Sequence, residues 1–279
     1  MKTVFNGGFI EEFEKSLVKI NSRKESFTTI TSGKSRKIIY DNGKKMTFFG
    51  RKGKTNFIDG CWLTNIVLKE IDKYIEQNGI PENLGKVDVQ QFNFKTIKKV
   101  VGSKKPILGI DIDRCYWTTA YKLGYISEEL YKKAFTATKK QGLLISIGVL
   151  NKMPMIRRYE NGKCVKIDYD MDYHNRYSPF YWQIIHHTYN LLMESYEAFK
   201  KDWYMFLTDC VFINPSKAQD VKAFFQSWGY NVKNHTIDFT SFDGQNLTWY
   251  DTKAQNHKSV FAQGRDVETN YKIWKISKG

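Results

Sequence analysis

The sequence predicts an α+β fold in which an antiparallel sheet is backed by helices. Asn-Gly pairs occur within residues 36–49 and 155–169, where they supply the positive φ angles of tight turns between paired strands. Apolar residues recur at helical spacing in residues 62–77 and 178–199. The chain has 279 residues, which is enough to bury a sizeable core.

In the first half of the chain, a helix and a connection follow the first hairpin. The helix at residues 62–77 ends at Gly79, and residues 80–104 are basic and lack a clear periodicity. We therefore expect a loosely structured connection there. The predicted domains are a basic N-terminal segment at residues 1–103 and a second domain at residues 104–279.

The second half alternates strands with helices. A short apolar strand at residues 107–112 comes first, and Ser178-Pro179 is expected to begin a long helix, since proline is tolerated in a first turn. Ser216 and Gln219 form a capping-box pattern. The further elements expected are helices at residues 116–123, 127–138 and 216–228, and strands at residues 203–213 and 230–239.

The charge is strongly positive and unevenly distributed. The formal net charge is +15, and residues 1–106 hold 21 basic and 11 acidic side chains. Basic groups neutralise phosphates and aromatic faces stack on bases, so a nucleic-acid surface is expected in the first hairpin region. A lysine-rich solvated face is the alternative, and a membrane surface is a third. The candidate contacts are Arg36, Lys37, Lys44, Lys45, Arg51 and Lys52.

Two carboxylates interrupt apolar strands. Asp111 lies in the strand at residues 107–112 and Asp209 in the strand at residues 203–213. A buried carboxylate needs a cation, a donor or a metal. If the two strands are adjacent, Asp111 and Asp209 can share Mg²⁺ or Mn²⁺, with Asp113 as a third candidate ligand. The alternative is that Asp111 caps the following helix and Asp209 pairs with a lysine.

Three ordered segments resemble the palm domain of family B DNA polymerases. Residues 111–117 are similar to the first palm motif, an Asp followed by two residues and then Ser-Leu-Tyr-Pro. Residues 207–212 resemble the Asp-Thr-Asp-Ser motif, and Lys140 with Gly148 resembles the fingers-helix motif. The resemblance covers residues 105–265 and implies a palm-like antiparallel sheet. It also implies a metal-dependent enzyme for nucleotidyl transfer or phosphodiester chemistry.

The resemblance assigns roles to single residues. It implies that Asp111 and Asp209 are the metal ligands, that Tyr116 screens the sugar 2′-hydroxyl and that Lys140 contacts an incoming triphosphate. Lys258 stands where the family has a lysine that contacts the primer. The partners implied are nucleic acid, with DNA expected before RNA, and nucleotides.

The sequence departs from the family pattern in ways that limit the expected activity. Leu207 replaces the first Asp of the third motif, and Trp117 replaces the Pro of the first. Only 29 residues separate Asp111 from Lys140, and about twenty follow Lys258. Because these spacings leave no room for full fingers or a thumb, we expect that the protein is not a processive replicase. A non-enzymatic, degenerate palm that binds nucleic acid or a protein partner is the alternative.

The remaining patterns exclude several classes of protein. No apolar run reaches the length of a membrane span, and the N-terminus does not resemble a secretory signal. The four cysteines stand about fifty residues apart without a CxxC pair, which argues against a zinc site or a disulfide scaffold. We therefore expect a cytoplasmic protein without a membrane partner, and the Lys- and Asn-rich composition suggests a bacteriophage origin.

Overall fold

The computed structural model describes residues 7–8, 10–32, 35–49, 58–103, 105–137 and 140–277. The chain divides into two compact units. The first unit comprises Met1–Gly85 and Ala120–Gln183, and the second comprises Lys86–Thr119 and Ile184–Gly279. Each unit is thus built from two separate stretches, unlike the continuous domains that the sequence suggested.

The described ranges contain nine helices and thirteen strands. The helices are α1 (Ile10–Ser22), α2 (Ile58–Asn78), α3 (Phe94–Val100), α4 (Cys115–Lys122), α5 (Glu128–Ala137), α6 (Lys140–Gly148), α7 (Met171–Phe199), α8 (Ala218–Ser227) and α9 (Val267–Ser277). The strands are β1 (Gly7–Gly8), β2 (Phe27–Ser32), β3 (Ser35–Tyr40), β4 (Lys45–Phe49), β5 (Gln90–Phe92), β6 (Ile107–Ile112), β7 (Met155–Glu160), β8 (Lys163–Tyr169), β9 (Trp203–Leu207), β10 (Cys210–Ile213), β11 (Val232–Phe242), β12 (Asn246–Asp251) and β13 (Asn256–Phe261). The predicted α+β class, with antiparallel sheets backed by helices, is confirmed.

The first unit contains a six-stranded sheet in the order β1-β4-β3-β2-β7-β8. It is antiparallel except for the two-residue strand β1, which pairs parallel to β4. Helix α1 covers one face with Phe13 and Ile20, which pack with Phe27, Ile38 and other buried residues of the sheet. The Asn-Gly hairpins therefore form as predicted, and their turns use left-handed φ angles of 49–81°.

The helices of the first unit are joined by aromatic and ionic contacts. Tyr74, Tyr125 and Phe180 meet edge to face, with ring centroids 4.9–5.7 Å apart. The Asp72 carboxylate accepts hydrogen bonds from Arg176 and Tyr177 at 2.8–2.9 Å. These contacts connect α2 with the first half of α7.

The second unit contains a seven-stranded antiparallel sheet in the order β13-β12-β11-β6-β10-β9-β5. Strands β6, β9, β10 and β11, with the intervening helices, follow a β-α-β-β-α-β order, and their spatial order is β11-β6-β10-β9. Ile110 and Ile112 of β6 pack with residues of α7, α8 and α9 on one face. Ile107, on the other face, packs with residues such as Phe212 and Ile237.

The start of α7 differs from the sequence prediction. The helix begins at Met171 rather than at Ser178-Pro179, and Pro179 lies inside it. The Asp170 carboxylate accepts the backbone N–H of Tyr173 at 2.9 Å and caps the earlier start. An internal proline removes one helical hydrogen bond, but the neighbouring Phe180 is fully buried and helps to hold the segment in place.

Two other segments were predicted incorrectly. Residues 80–104 contain β5 and α3, and Asn93 caps α3 by accepting the Thr96 backbone N–H at 3.1 Å. The predicted capping box at Ser216 does not start α8, because Asn214 instead caps a single 3₁₀ turn at Pro215–Lys217. Across the described ranges, no helix has the length and apolarity that a membrane crossing requires.

Candidate active site on the second sheet

Asp111 lies near the end of the central strand of the second sheet. It is the next-to-last residue of β6, and its partners in register are Cys210 on β10 and Lys233 on β11. Successive side chains of a strand point to opposite faces. Because Ile110 and Ile112 pack against the helices, the half-buried Asp111 lies on the face that points away from α7, α8 and α9.

Asp209 lies in a two-residue turn rather than within a strand. Residues 203–213, predicted to be one strand, form the hairpin of β9 and β10, joined by Thr208 and Asp209. Thr208 has a left-handed φ of 57°, which is uncommon for a β-branched residue. The Asp209 carbonyl accepts the backbone N–H of Ile112 at 3.0 Å. This hydrogen bond fixes the turn beside the end of β6, next to Asp111.

The charges of Asp111 and Asp209 both affect the pKa of one buried thiol, that of Cys115. Cys115 is the first residue of α4 and is 1% exposed. Burial is the main cause that raises the pKa of its thiol to about 12, and the negative charges of Asp209 and Asp111 raise it further. Asp111 and Asp209 therefore lie around a common neighbour. At neutral pH the Cys115 sulfur is protonated, so it is neither a thiolate nucleophile nor a thiolate ligand.

The rate at which each thiol of the native protein is labelled should depend on its burial and, for Cys115, on its raised pKa. We expect an alkylating reagent at pH 8 to modify Cys164, which is exposed, and to leave Cys115 and Cys210 unmodified until denaturant is added. Peptide mass spectrometry after a timed reaction would locate the label. Rapid labelling of Cys115 in the folded protein would contradict the buried position of this thiol.

Two kinds of metal site can be compared with the residues around Asp111 and Asp209: one made entirely of protein ligands and one completed by water and substrate phosphates. Across the described part of the chain, no group of three or more His, Cys, Asp or Glu side chains is arranged to hold a metal ion. This argues against a cage made entirely of protein ligands. Mg²⁺, however, is commonly bound by one or two carboxylates together with water and substrate phosphates. A site of this kind would need only Asp111 and Asp209 from the protein.

Asp113 has a different partner from the one suggested by the sequence. Its side chain is 12% exposed, and its Oδ1 lies 2.7 Å from the Nζ of Lys233. The carboxylate is thus neutralised by an ion pair. Lys233 was missed by sequence reasoning, because a lone lysine in a strand carries no motif. Lys233 is directly opposite Asp111 in register, and its side chain is 64% exposed.

A histidine packs over a glycine on the same face as Asp111. His235 is opposite Gly109 in register, and its ring lies edge-on to Phe212 with centroids 5.3 Å apart. A Cβ added to Gly109 would lie 2.5 Å from Cε1 of His235. Burial lowers the pKa of His235, although the charges of Asp251 and Asp111 oppose this shift. Because Gly109 has no side chain, the His235 ring can pack over this residue on the same face as Asp111.

Helix α4 is anchored beneath the carboxylates by buried hydroxyl groups. Thr119 Oγ1 lies 2.9 Å from the Tyr230 hydroxyl and 3.5 Å from Thr188 Oγ1, which in turn lies 3.6 Å from Cys115 Sγ. All of these residues are buried. Tyr116, the predicted sugar-screening residue, is half-buried in the first turn of this helix.

Lys140, the predicted triphosphate contact, is the first residue of α6. It is exposed and belongs to the first unit, whereas Asp111 and Asp209 belong to the second. Leu143 and Ile147 on the same helix are buried, so α6 presents an apolar side to the core of its own unit.

Lys258, the predicted primer contact, forms an ion pair with a buried carboxylate. Its Nζ lies 2.5 Å from Oδ2 of Asp251, whose side chain is 9% exposed. Oδ1 of Asp251 accepts the backbone N–H groups of Lys253 and Ala254 at 3.0 and 2.9 Å. The Lys258 hydrogen bond, followed by that of Ala254, lowers the pKa of Asp251. Lys258 thus fixes the turn between β12 and β13.

Asp251→Asn should lower the free energy of unfolding by about 2 kcal/mol at pH 7, since charged hydrogen bonds to a buried group are lost. The folded-state pKa is lowered, so this contribution is fully present above the unfolded pKa of about 4 and is lost as the pH falls from there through the folded pKa. Urea unfolding over a pH series from pH 7 downward through this range would measure it. The exposed Asp220→Asn variant is the control, and a difference between Asp251→Asn and wild type that stays constant with pH would contradict the ion pair.

The basic residues of the first hairpin are divided between the faces of the first sheet. Register places Lys37 and Lys45 on one face, and Arg36 on the face that packs with Ile38 and Phe48. Lys44 is exposed beside the turn. The predicted contacts Arg51 and Lys52 lie outside the described residues.

Arg158 shares the sheet face of Lys37 and Lys45 through its register with Thr28 on β2. Its guanidinium forms a two-point contact with the Asp41 carboxylate at 2.5 and 2.9 Å. This hydrogen bonding lowers the pKa of Asp41. Arg158 is therefore already neutralised, whereas Lys37 and Lys45 form no ion pair with any residue in the described ranges.

Comparison of the chain with protein-family models, with curated proteins and with solved structures finds no match.

Proposed function

We propose that the protein is a metal-dependent nucleic-acid enzyme that carries out nucleotidyl transfer or phosphodiester chemistry at Asp111 and Asp209. The observation that carries the proposal is the adjacency of β6 and the β9-β10 turn, fixed by the Asp209 carbonyl hydrogen bond to Ile112 at 3.0 Å. Asp111, near the end of β6, and Asp209, in the β9-β10 turn, place two carboxylates at one end of the paired strands as a candidate acidic centre. Such a centre is favourable when it can bind divalent cations.

Asp111 and Asp209 hold Mg²⁺ or Mn²⁺ in this proposal, with water and substrate phosphates as the remaining ligands. When bound, the cations supply activation of an attacking oxygen and stabilisation of a leaving oxygen. Lys233, directly opposite Asp111, pairs with Asp113 and so neutralises the third carboxylate near the proposed centre. The buried hydroxyl groups around Thr119 keep α4, and hence Tyr116, in a fixed position.

Nucleic acid is the substrate class that fits the charge. The net charge is +15, and Lys37, Lys44 and Lys45 present ammonium groups on the first hairpin. A partner that binds through its phosphates releases counterions, so its affinity falls steeply with salt. We expect the affinity for a single-stranded oligonucleotide to drop by on the order of 10²-fold or more between 50 and 200 mM salt if several phosphates are neutralised. Fluorescence anisotropy would measure this slope.

Two variants test the source of that affinity. Lys37→Glu/Lys45→Glu should weaken oligonucleotide binding and reduce the salt slope, because both charges lie on one face of the first sheet. Lys69→Glu/Lys73→Glu, which reverses two exposed charges on helix α2, is the matched control for net charge. An affinity that does not depend on salt would contradict binding through phosphates.

The activity itself is tested by supplying Mn²⁺ or Mg²⁺ with labelled DNA and RNA, with and without nucleotides. Primer extension would identify nucleotidyl transfer, and strand cleavage would identify a nuclease. Either product should depend on the cation and disappear in the Asp111→Ala/Asp209→Ala variant. The enzyme proposal would be wrong if the wild-type protein showed neither activity and the variant bound the oligonucleotide as tightly as wild type. That result would favour a palm-like domain that binds nucleic acid without catalysis.

A further inference from the structure

Among the described residues, strand β8 forms an open edge of the first sheet. It pairs with β7 on one side and is the last strand in the sheet order. All seven of its residues are exposed, and three are large and apolar: Val165 at 54%, Ile167 at 58% and Tyr169 at 49%. An exposed, apolar edge strand is a template for pairing with another chain.

The register with β7 shows which part of β8 is regular. Tyr159 is opposite Cys164 and Arg158 is opposite Lys166, so Val165 is an extra residue on β8. From Lys166 to Tyr169 the pairing continues without interruption. This regular part is the segment that can accept a further strand.

The sequence of this regular part is complementary to itself. When two antiparallel β8 strands are centred on Ile167, the residue faces its own copy across a two-fold axis. Lys166 then faces Asp168 of the second copy, and Asp168 faces Lys166. Within one chain these two side chains already lie on the same face, with Lys166 Nζ 3.0 Å from Asp168 Oδ2. A second copy would complete a ring of four alternating charges.

Other two-fold registers are less favourable. Centring the pair on Lys166 would oppose two lysines, and centring it on Asp168 would oppose two aspartates; like charges directly opposite each other are destabilising. Only the register centred on Ile167 also brings Val165 toward Tyr169 of the second copy. Charge complementarity and apolar matching therefore select the same register.

We propose that two copies of the chain associate through antiparallel pairing of their β8 strands, centred on Ile167. The two sheets of the first unit then continue across the axis as one. Strand pairing over about five residues buries little surface compared with a permanent dimer, so the association depends on concentration.

Charge reversal tests the register. Sedimentation velocity over a concentration series should show wild type moving from monomer to dimer. Lys166→Asp and Asp168→Lys should each weaken the dimer by at least about tenfold, because like charges then face each other twice. Lys166→Asp/Asp168→Lys should restore it, since the reversed charges are again complementary. Both side chains are more than half exposed, so the fold is retained, and circular dichroism checks this.

A cysteine on the axis gives an independent measurement. In a Cys164→Ser background, Ile167→Cys should form a disulfide-linked dimer on mild oxidation. Lys163→Cys should not, because the two copies of residue 163 would be eight residue pairs apart, about 27 Å. A monomer at every concentration, or a dimer that neither single charge reversal weakens, would overturn the proposal.

Discussion

Replacing either Asp111 or Asp209 with Asn should reduce the proposed metal-dependent activity by on the order of 10³-fold while leaving the protein folded. An Asn side chain keeps the shape of Asp but removes the charge that binds a hard cation. The cation contributes several kcal/mol of transition-state stabilisation, and each 1.4 kcal/mol is a factor of ten in rate. The rate of product formation with saturating Mn²⁺ would be compared with that of wild type.

Thermal unfolding separates metal binding from chemistry in the same variants. Mn²⁺ should raise the melting temperature of wild type, because a ligand that binds only the folded state stabilises it. The rise should disappear in Asp111→Asn and Asp209→Asn. Asp220→Asn on α8 removes the same charge from an exposed position in the same unit and should retain both the rise and the activity. Full activity in Asp209→Asn would contradict a role for this carboxylate.

Gly109→Ala should lower the free energy of unfolding by about 1–3 kcal/mol, since an added methyl group overlaps the His235 ring. The strand affected is β6, two residues before Asp111. The ring is restrained by Phe212, so relief requires the ring or the backbone to move. Urea unfolding would measure the loss.

A double-mutant cycle identifies the cause of this loss. In the His235→Ala background the overlap is absent, so Gly109→Ala should cost much less than it does in wild type. Gly148→Ala in α6 is the matched control, because an added Cβ there meets nothing within 4 Å, and alanine is the better helix former. An equal cost of Gly109→Ala in both backgrounds would contradict the contact.

Local patterns were sufficient to predict much of the fold. The hairpins at Asn42-Gly43 and Asn161-Gly162 carry their own turn signals, and β6 is a continuous apolar run around one polar residue. The β9-β10 turn was missed because Thr208 and Asp209 contain neither Gly nor Asn, the usual signals of a left-handed turn. The start of α7 was misplaced because Pro179 is a frequent first-turn residue, and the cap at Asp170 lies nine residues earlier.

The candidate site was only partly predictable. Asp111 and Asp209 were detectable because each interrupts an apolar segment. Their adjacency depends on the pairing of β6 with β10, which joins residues about a hundred positions apart and leaves no local signal. The ion pairs of Lys233 with Asp113 and of Lys258 with Asp251 likewise depend on tertiary contacts. In both cases, charge and spacing alone did not reveal the partner.

The division of the chain into interleaved stretches has a consequence for synthesis. The second unit begins at Lys86, is interrupted after Thr119 and resumes only at Ile184. During translation, more than eighty residues must therefore be added after β6 before its sheet neighbours β10 and β11 are available for pairing. Until then its apolar edges lack partners, and a nascent chain is prone to aggregation at that stage. A product that ends before residue 209 contains Asp111 but neither Asp209 nor β10, so the two carboxylates come together only late in synthesis.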